Sequence, residues 1–184
     1  MRTVIHSAMT SLDGMFDGPG EGAERIDWMR ADDEWEEYSV ESLDAASTLL
    51  FGRRTFEGMA EYWPDQTDPV GIRMNALEKV GFSRSPGEPT WSNARMSDDP
   101  VGEVTRLKAG TGGNLLILGS ADLAATLTGH GLVDEYRIAV NPVVLGAGSP
   151  LFRPGHPRLD LRPTGTRIFS SGIVEIRCAP ARTS

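Results

Sequence analysis

The run LLFGRRTFEGM, residues 49–59, leads from an apolar segment into a polar one through one glycine and two arginines. STLLFG, ending at Gly52, has the unbroken apolar character of a strand buried on both faces. RTFEGMAEYW, stopped by Pro64, has helical spacing. Gly52 at the junction lets backbone or a ligand approach closely. Thr55 reads as the cap of the helix, which places free N–H groups and the positive end of the helix dipole beside it. Arg53 and Arg54 add two forked donors at the same point. Such a set suits a phosphate, above all a terminal dianion. The alternative is that both arginines are solvated or pair with the surplus carboxylates of the chain.

A second junction of this kind is LLILGSADLAATL, residues 115–127. An apolar strand again meets a glycine, Gly119, followed by Ser120 and a helix carrying Asp122 near its start. The Ser120 hydroxyl and the N–H groups of Ala121, Asp122 and Leu123 are suited to a pyrophosphate; the alternative is a tight connection in which Ser120 or Asp122 only caps. Parallel strands put their carboxyl ends on one edge, so two such junctions can face one elongated ligand with several phosphates. That pattern points to a dinucleotide. GTGGNL has its glycines before a strand and GAGSPL has no helix pattern behind it, so neither is a Rossmann fingerprint, and no P-loop sequence is present.

Outward from these turns, TVIHSAM reads as a first strand closed by the turn SLDG, residues 11–14. Residues 15–28, rich in glycine, read as a long mobile loop, a lid or a tolerated insertion. An amphipathic helix with an acidic outer face is expected from Asp32 to Ala46. A short helix around Val70 to Leu77, a strand KVGFS, a loop or edge at TWSNARMSDDP and a helix stopped by Gly110 follow. VDEYRIAVN gives a strand broken at Pro142, and the tail pairs LDLRPTGTRIF with GIVEIRC as a hairpin. Strands alternate with helices and finish antiparallel, which predicts one α/β domain over residues 1–184, with helices on both faces of a mixed, mostly parallel sheet.

The 184 residues carry a net charge of −8, which argues against nucleic acid or an anionic membrane as partner while leaving room for a local basic pocket. One cysteine, Cys178, allows no internal disulfide and fits a reducing, cytoplasmic setting. His6, His130 and His156 lack metal-ligand spacing, so no metal site is expected.

The pieces SLDG, LLFGRRTFEGM, KVGFSRS, WSN, LILGSADLAATL and GLVDEYRIAVNPVVLGAGSPLF run in one order over nearly the whole length. In that order the chain resembles the dihydrofolate reductase superfamily, and within it the C-terminal reductase domain of the riboflavin-biosynthesis deaminase/reductase. The resemblance implies a three-layer dihydrofolate-reductase-like fold, NADPH as cofactor and a homodimer. It implies that Arg53, Arg54 and Thr55 lie at the adenosine 2′-phosphate and that Ser83 and Arg84 extend the adenosine side. Gly52 and Gly119 to Leu123 would serve the phosphates, and Ala8 with the SLDG turn would lie near the nicotinamide. Hydride transfer to a pterin-like or aminopyrimidine-like heterocycle is the implied reaction, the latter as in 5-amino-6-(5-phosphoribosylamino)uracil reductase.

A proton must also reach the acceptor. Classical dihydrofolate reductases carry a carboxylate five residues beyond a tryptophan on the helix after the first loop; here Asp33 stands at that distance from Trp28. Its alternative is a solvated acidic helix start. Asp13 of SLDG competes for a role facing the substrate, against an ordinary turn-forming one. Two departures stand out: Ser7 occupies a place where the riboflavin-pathway reductases carry lysine, and Leu118, Gly119 and Ser120 replace an acidic residue and two glycines. The 184 residues hold no zinc-ligand spacing of the kind a deaminase half carries. A reading from a different class is an NADPH-binding or sensor protein that has lost turnover.

Overall fold

The computed structural model describes residues 1–181 apart from Pro157. Ten strands and five α-helices follow one another as β1 (Val4–Ser11), β2 (Met15–Asp17), α1 (Asp33–Asp44), β3 (Ala46–Gly52), α2 (Arg53–Tyr62), α3 (Pro69–Ala76), β4 (Glu78–Phe82), β5 (Ala94–Ser97), α4 (Pro100–Ala109), β6 (Asn114–Leu118), α5 (Ala121–Gly129), β7 (Glu135–Asn141), β8 (Ser149–Pro150), β9 (Leu161–Ile168) and β10 (Val174–Pro180). Eight of the strands form one sheet in the order β5-β4-β3-β6-β1-β7-β10-β9, and β2 pairs with β8 in a separate ribbon. Pairings from β5 across to β7 are parallel, whereas β10 runs antiparallel to both β7 and β9. The expected mixed sheet and C-terminal hairpin are both present.

The central strands explain their own composition. Successive side chains of a strand point to opposite faces. Leu50, Val4, Leu115 and Ile117 therefore pack with Val104 and Leu107 of α4 and Leu123, Ala124 and Leu127 of α5. Leu49, Phe51, Ile5 and Leu116 turn the other way, onto Leu43 of α1, Phe56 of α2 and Met74 of α3. A sheet covered by helices on both faces needs apolar residues at every position, and LLF and LLIL supply them. This is the three-layer α/β arrangement.

Boundaries moved where competing caps were present. The arginines enter the helix: Gly52 is the N-cap of α2 and no side chain caps it, so Thr55 lies inside the first turn rather than at the cap. Ala46 opens β3 instead of closing α1. TWSNARMSDDP contributes a parallel edge strand, β5. Residues 15–28 are braced internally rather than open: Gly18 and the Trp28 indole both donate to the Arg25 carbonyl, at 2.8 Å each, and the Arg25 Nε donates to Asp17 at 2.7 Å.

Lys79, at the second position of β4, is fully buried. Its ammonium donates to the carbonyls of Met74, Asn75 and Leu77 at the end of α3 and lies 4.6 Å from the centre of the Trp91 ring. Burial lowers its pKa to about 8. Nothing in the local sequence marks this residue, since only the fold brings the helix end to it. Among the described residues no helix is long and apolar enough to cross a membrane, and no cluster of metal-ligating side chains occurs.

Candidate functional site

The two glycine junctions meet. β3 pairs in parallel with β6, Leu50 opposite Ile117, and with β4, Gly52 opposite Phe82. The carboxyl ends of β4, β3, β6 and β1 thus share one edge of the sheet. There the Gly52 N–H donates to the Ser120 Oγ at 3.0 Å. A Cβ placed on Gly52 would lie 3.8 Å from Leu123 Cβ, so the start of α2 packs directly against the start of α5.

Capping separates these two helices from the rest. Asp32, Asp68 and Asp99 accept hydrogen bonds from first-turn N–H groups of α1, α3 and α4. Neither α2 nor α5 receives a side-chain cap. Their first-turn N–H groups and positive dipole ends are therefore left facing the shared edge.

The cations differ from one another. Arg53 donates through Nε to Glu57 at 2.8 Å, one helical turn on, with both side chains more than half exposed. Glu57 raises the Arg53 pKa, through the hydrogen bond first and the charge second. An exposed pair of this kind is weak and exchangeable. Arg54 is exposed and has no ionic or hydrogen-bond partner among the described residues. Ser83 and Arg84 follow the end of β4, beside this corner; the Ser83 hydroxyl closes a small turn with Ser85, and Arg84 is exposed.

The second turn is built differently from the sequence expectation. Ser120 is buried, and its Oγ accepts the Gly52 N–H, which ties the two turns together and leaves the hydroxyl hydrogen to donate elsewhere. The Gly119 N–H is taken by the Ser7 carbonyl at 2.8 Å. The N–H groups of Ser120, Ala121, Asp122 and Leu123 stand beside the Ser120 hydroxyl at the start of α5. The Asp122 carboxylate turns to Arg153 at 3.1 Å. Gly119 (φ +57°) and Ser120 (φ +49°) are both left-handed, which for a serine costs about 1–2 kcal/mol. A Cβ on Gly119 would come within 2.9 Å of the Phe16 ring. Phe16, from β2, therefore roofs the turn, a contact invisible in the local sequence. Ala8 is buried in β1.

The two carboxylates fare unequally. Asp13 is held by three donors: the Ser11 hydroxyl (2.6 Å) and the N–H groups of Leu145 (3.1 Å) and Gly146 (2.8 Å). These bonds, the Ser11 one foremost, lower its pKa to about 2. An acid so strong and so fully engaged does not serve as a proton donor near neutrality. These bonds fasten the first turn to the loop after β7, as the turn-forming alternative for Asp13 anticipates. Asp33 lies exposed in the first turn of α1 with no partner among the described residues, next to Asp32, which accepts from Trp35 N and the Ser170 hydroxyl.

His6 was not singled out from sequence. It is buried in β1, and its Nε2 lies 2.9 Å from the Gly119 carbonyl. The only signal was its alternation with Val4 on one face of a central strand.

Comparison with known proteins agrees with this geometry. The model of the RibD C-terminal domain family matches residues 2–175. The chain is 34% identical to the uncharacterized protein YyaP of Bacillus subtilis (strain 168), over 95% of this chain and 93% of that one. A Shewanella sp. PV-4 structure, whose name places it in riboflavin biosynthesis, superposes with a TM-score of 0.78 at 19% identity, covering 98% of this chain and 99% of its own. A Thermotoga maritima diaminohydroxyphosphoribosylaminopyrimidine deaminase/5-amino-6-(5-phosphoribosylamino)uracil reductase superposes at 0.69 and 15% identity; 98% of this chain spans 57% of that one. The chain belongs to the RibD C-terminal domain family.

Proposed function

We propose that the protein is an NADPH-dependent reductase of a small heterocycle, pterin-like or aminopyrimidine-like. The observation that carries this is the hydrogen bond from Gly52 to Ser120, which joins two uncapped helix starts beside an unpaired arginine, within a family of reductase-type domains. The residues fit the cofactor: glycine stands at both mouths, at Gly119 where a side chain would crowd Phe16, and the donors are those an extended phosphate ester requires.

On this reading Arg54, with Arg53 released from Glu57, holds the adenosine 2′-phosphate, and Ser83 and Arg84 flank the adenosine. The first turn of α5 holds the pyrophosphate. NADPH, when bound, supplies a hydride to a C=N or C=O carbon. The chain's own work is to orient the two reactants and exclude water, with Phe16 and the β2–β8 ribbon as cover. Asp33 is the remaining carboxylate for delivering a proton at the acceptor. Dimerisation through exposed apolar residues, Ile168 and Ile176 on one face of the C-terminal hairpin or Val144 after β7, completes the reading.

Thermal unfolding with NADPH and with NADH tests the cofactor assignment. A larger rise with NADPH, abolished in Arg53→Ala/Arg54→Ala, is expected; equal rises overturn the 2′-phosphate reading. Oxidation of NADPH across pterins and aminopyrimidines then separates an enzyme from a binding protein.

A further inference from the structure

His6 occupies a place where an apolar side chain would pack as well. It lies in a central strand between β6 and β7, opposite Ile117 and Tyr136, with its ring edge-on to Tyr136 at 6.0 Å. A carbonyl only accepts, so the bond to Gly119 requires the hydrogen on Nε2 and leaves Nδ1 bare. Nδ1 is buried and has no partner among the described residues. A half-satisfied buried imidazole is unfavourable for folding alone. Burial lowers its pKa to about 4, which keeps the ring neutral and the tautomer fixed. Tyr136 lies edge-on to it, and the small cavity that His6 shares with His156 is lined by no carboxylate among the described residues.

Three hydrogen bonds hold the left-handed turn. The Gly119 N–H to Ser7 carbonyl bond is backbone to backbone and arises with any residue at position 7. The Gly52 N–H to Ser120 Oγ bond fixes a side chain. Among the described residues only the His6 bond engages the Gly119–Ser120 peptide and so fixes its plane. That peptide is trans, so its carbonyl and N–H point in opposite directions. Drawing the carbonyl toward His6 turns the Ser120 N–H away from it.

We propose that His6 is the positioning residue of the phosphate turn: by holding the Gly119 carbonyl it presents the Ser120 N–H, in line with the first turn of α5, to a dinucleotide pyrophosphate. This rests on the dinucleotide reading above. His6 touches no ligand and acts through Gly119. It serves the pyrophosphate common to NADPH and NADH, and not the 2′-phosphate, which belongs to the arginine corner.

The test compares His6→Gln, whose amide can reach the Gly119 carbonyl, with His6→Asn and His6→Leu, which cannot. Binding of NADPH, NADH and adenosine 2′-phosphate is titrated for each, beside urea unfolding. The expected result is a loss of about tenfold or more in affinity for both dinucleotides in the Asn and Leu variants. Adenosine 2′-phosphate binding stays unchanged, and the Gln variant recovers most of the loss. Wild-type dinucleotide affinity in His6→Asn or His6→Leu overturns the proposal. So does a loss shared equally by all three ligands, or one that Gln fails to rescue at equal stability. A Leu variant that does not fold leaves the Asn and Gln pair to decide. If the wild-type chain binds adenosine 2′-phosphate but no dinucleotide is affected by position 6, only this inference falls. If the wild-type chain binds none of the three, the dinucleotide reading falls as well.

Discussion

The Gly52 N–H and the Ser120 Oγ, 3.0 Å apart, make the starts of α2 and α5 a single hydrogen-bonded unit although 68 residues separate them. Ser120→Ala leaves that buried N–H without its acceptor and is expected to lower stability by about 1–2 kcal/mol. Urea unfolding measures this. Dinucleotide affinity falls with it, because the two helix starts lose their tie.

The arginines are expected to contribute unequally. Arg54 is free to receive a phosphate, whereas Arg53 must first leave Glu57. Arg54→Ala should weaken NADPH about tenfold or more while sparing NADH, and Arg53→Ala by a smaller factor. Calorimetric titration of both nucleotides checks the order. Equal effects would place the two guanidinium groups on the phosphate alike.

Acid stability should carry the mark of His6. Its folded pKa of about 4 lies below the ordinary 6.5, so the unfolded chain binds the extra proton between those values. Stability therefore falls as pH drops from 6.5 toward 4, by about 3 kcal/mol for the full shift. His6→Leu removes this part of the slope. Unfolding midpoints at pH 7, 5.5 and about 4.5 measure it.

Lys79→Met keeps the apolar bulk but strips the donor from three carbonyls at the end of α3. A loss of about 2–4 kcal/mol is expected. Cofactor affinity should be unaffected, which separates this residue from the site.

Ile168 is 72% exposed and Ile176 40% exposed, diagonal neighbours on one face of the hairpin. If a second copy covers them, Ile168→Asp should shift the mass in sedimentation from dimer to monomer. An unchanged mass moves the contact to the Val144 region.

What sequence made legible was local. The apolar runs at 48–52 and 115–118 announced buried strands, and both sit where expected; of the glycines after them, Gly119 meets the Phe16 ring closely while Gly52 has ordinary contacts. What it misjudged was competition between neighbours. Thr55 is a good cap in isolation, but Gly52 reached the position first and needs no side chain to do so. Asp13 read as an available carboxylate because its donors at Leu145 and Gly146 lie more than 130 residues away. The same distance problem hid Phe16 above Gly119, His6 beneath it, and Lys79 at the end of α3. Each is decided by which elements become neighbours in the sheet, and no window of sequence contains that.

The clasp between Asp13 and the Leu145–Gly146 backbone also orders events as the chain emerges during synthesis. The N-terminal turn is made first, yet its carboxylate waits for donors delivered only after β7. Until then it has the Ser11 hydroxyl alone. The clasp consequently closes only after β3 and β6 have been made, and a chain that stops short of Leu145 never forms it.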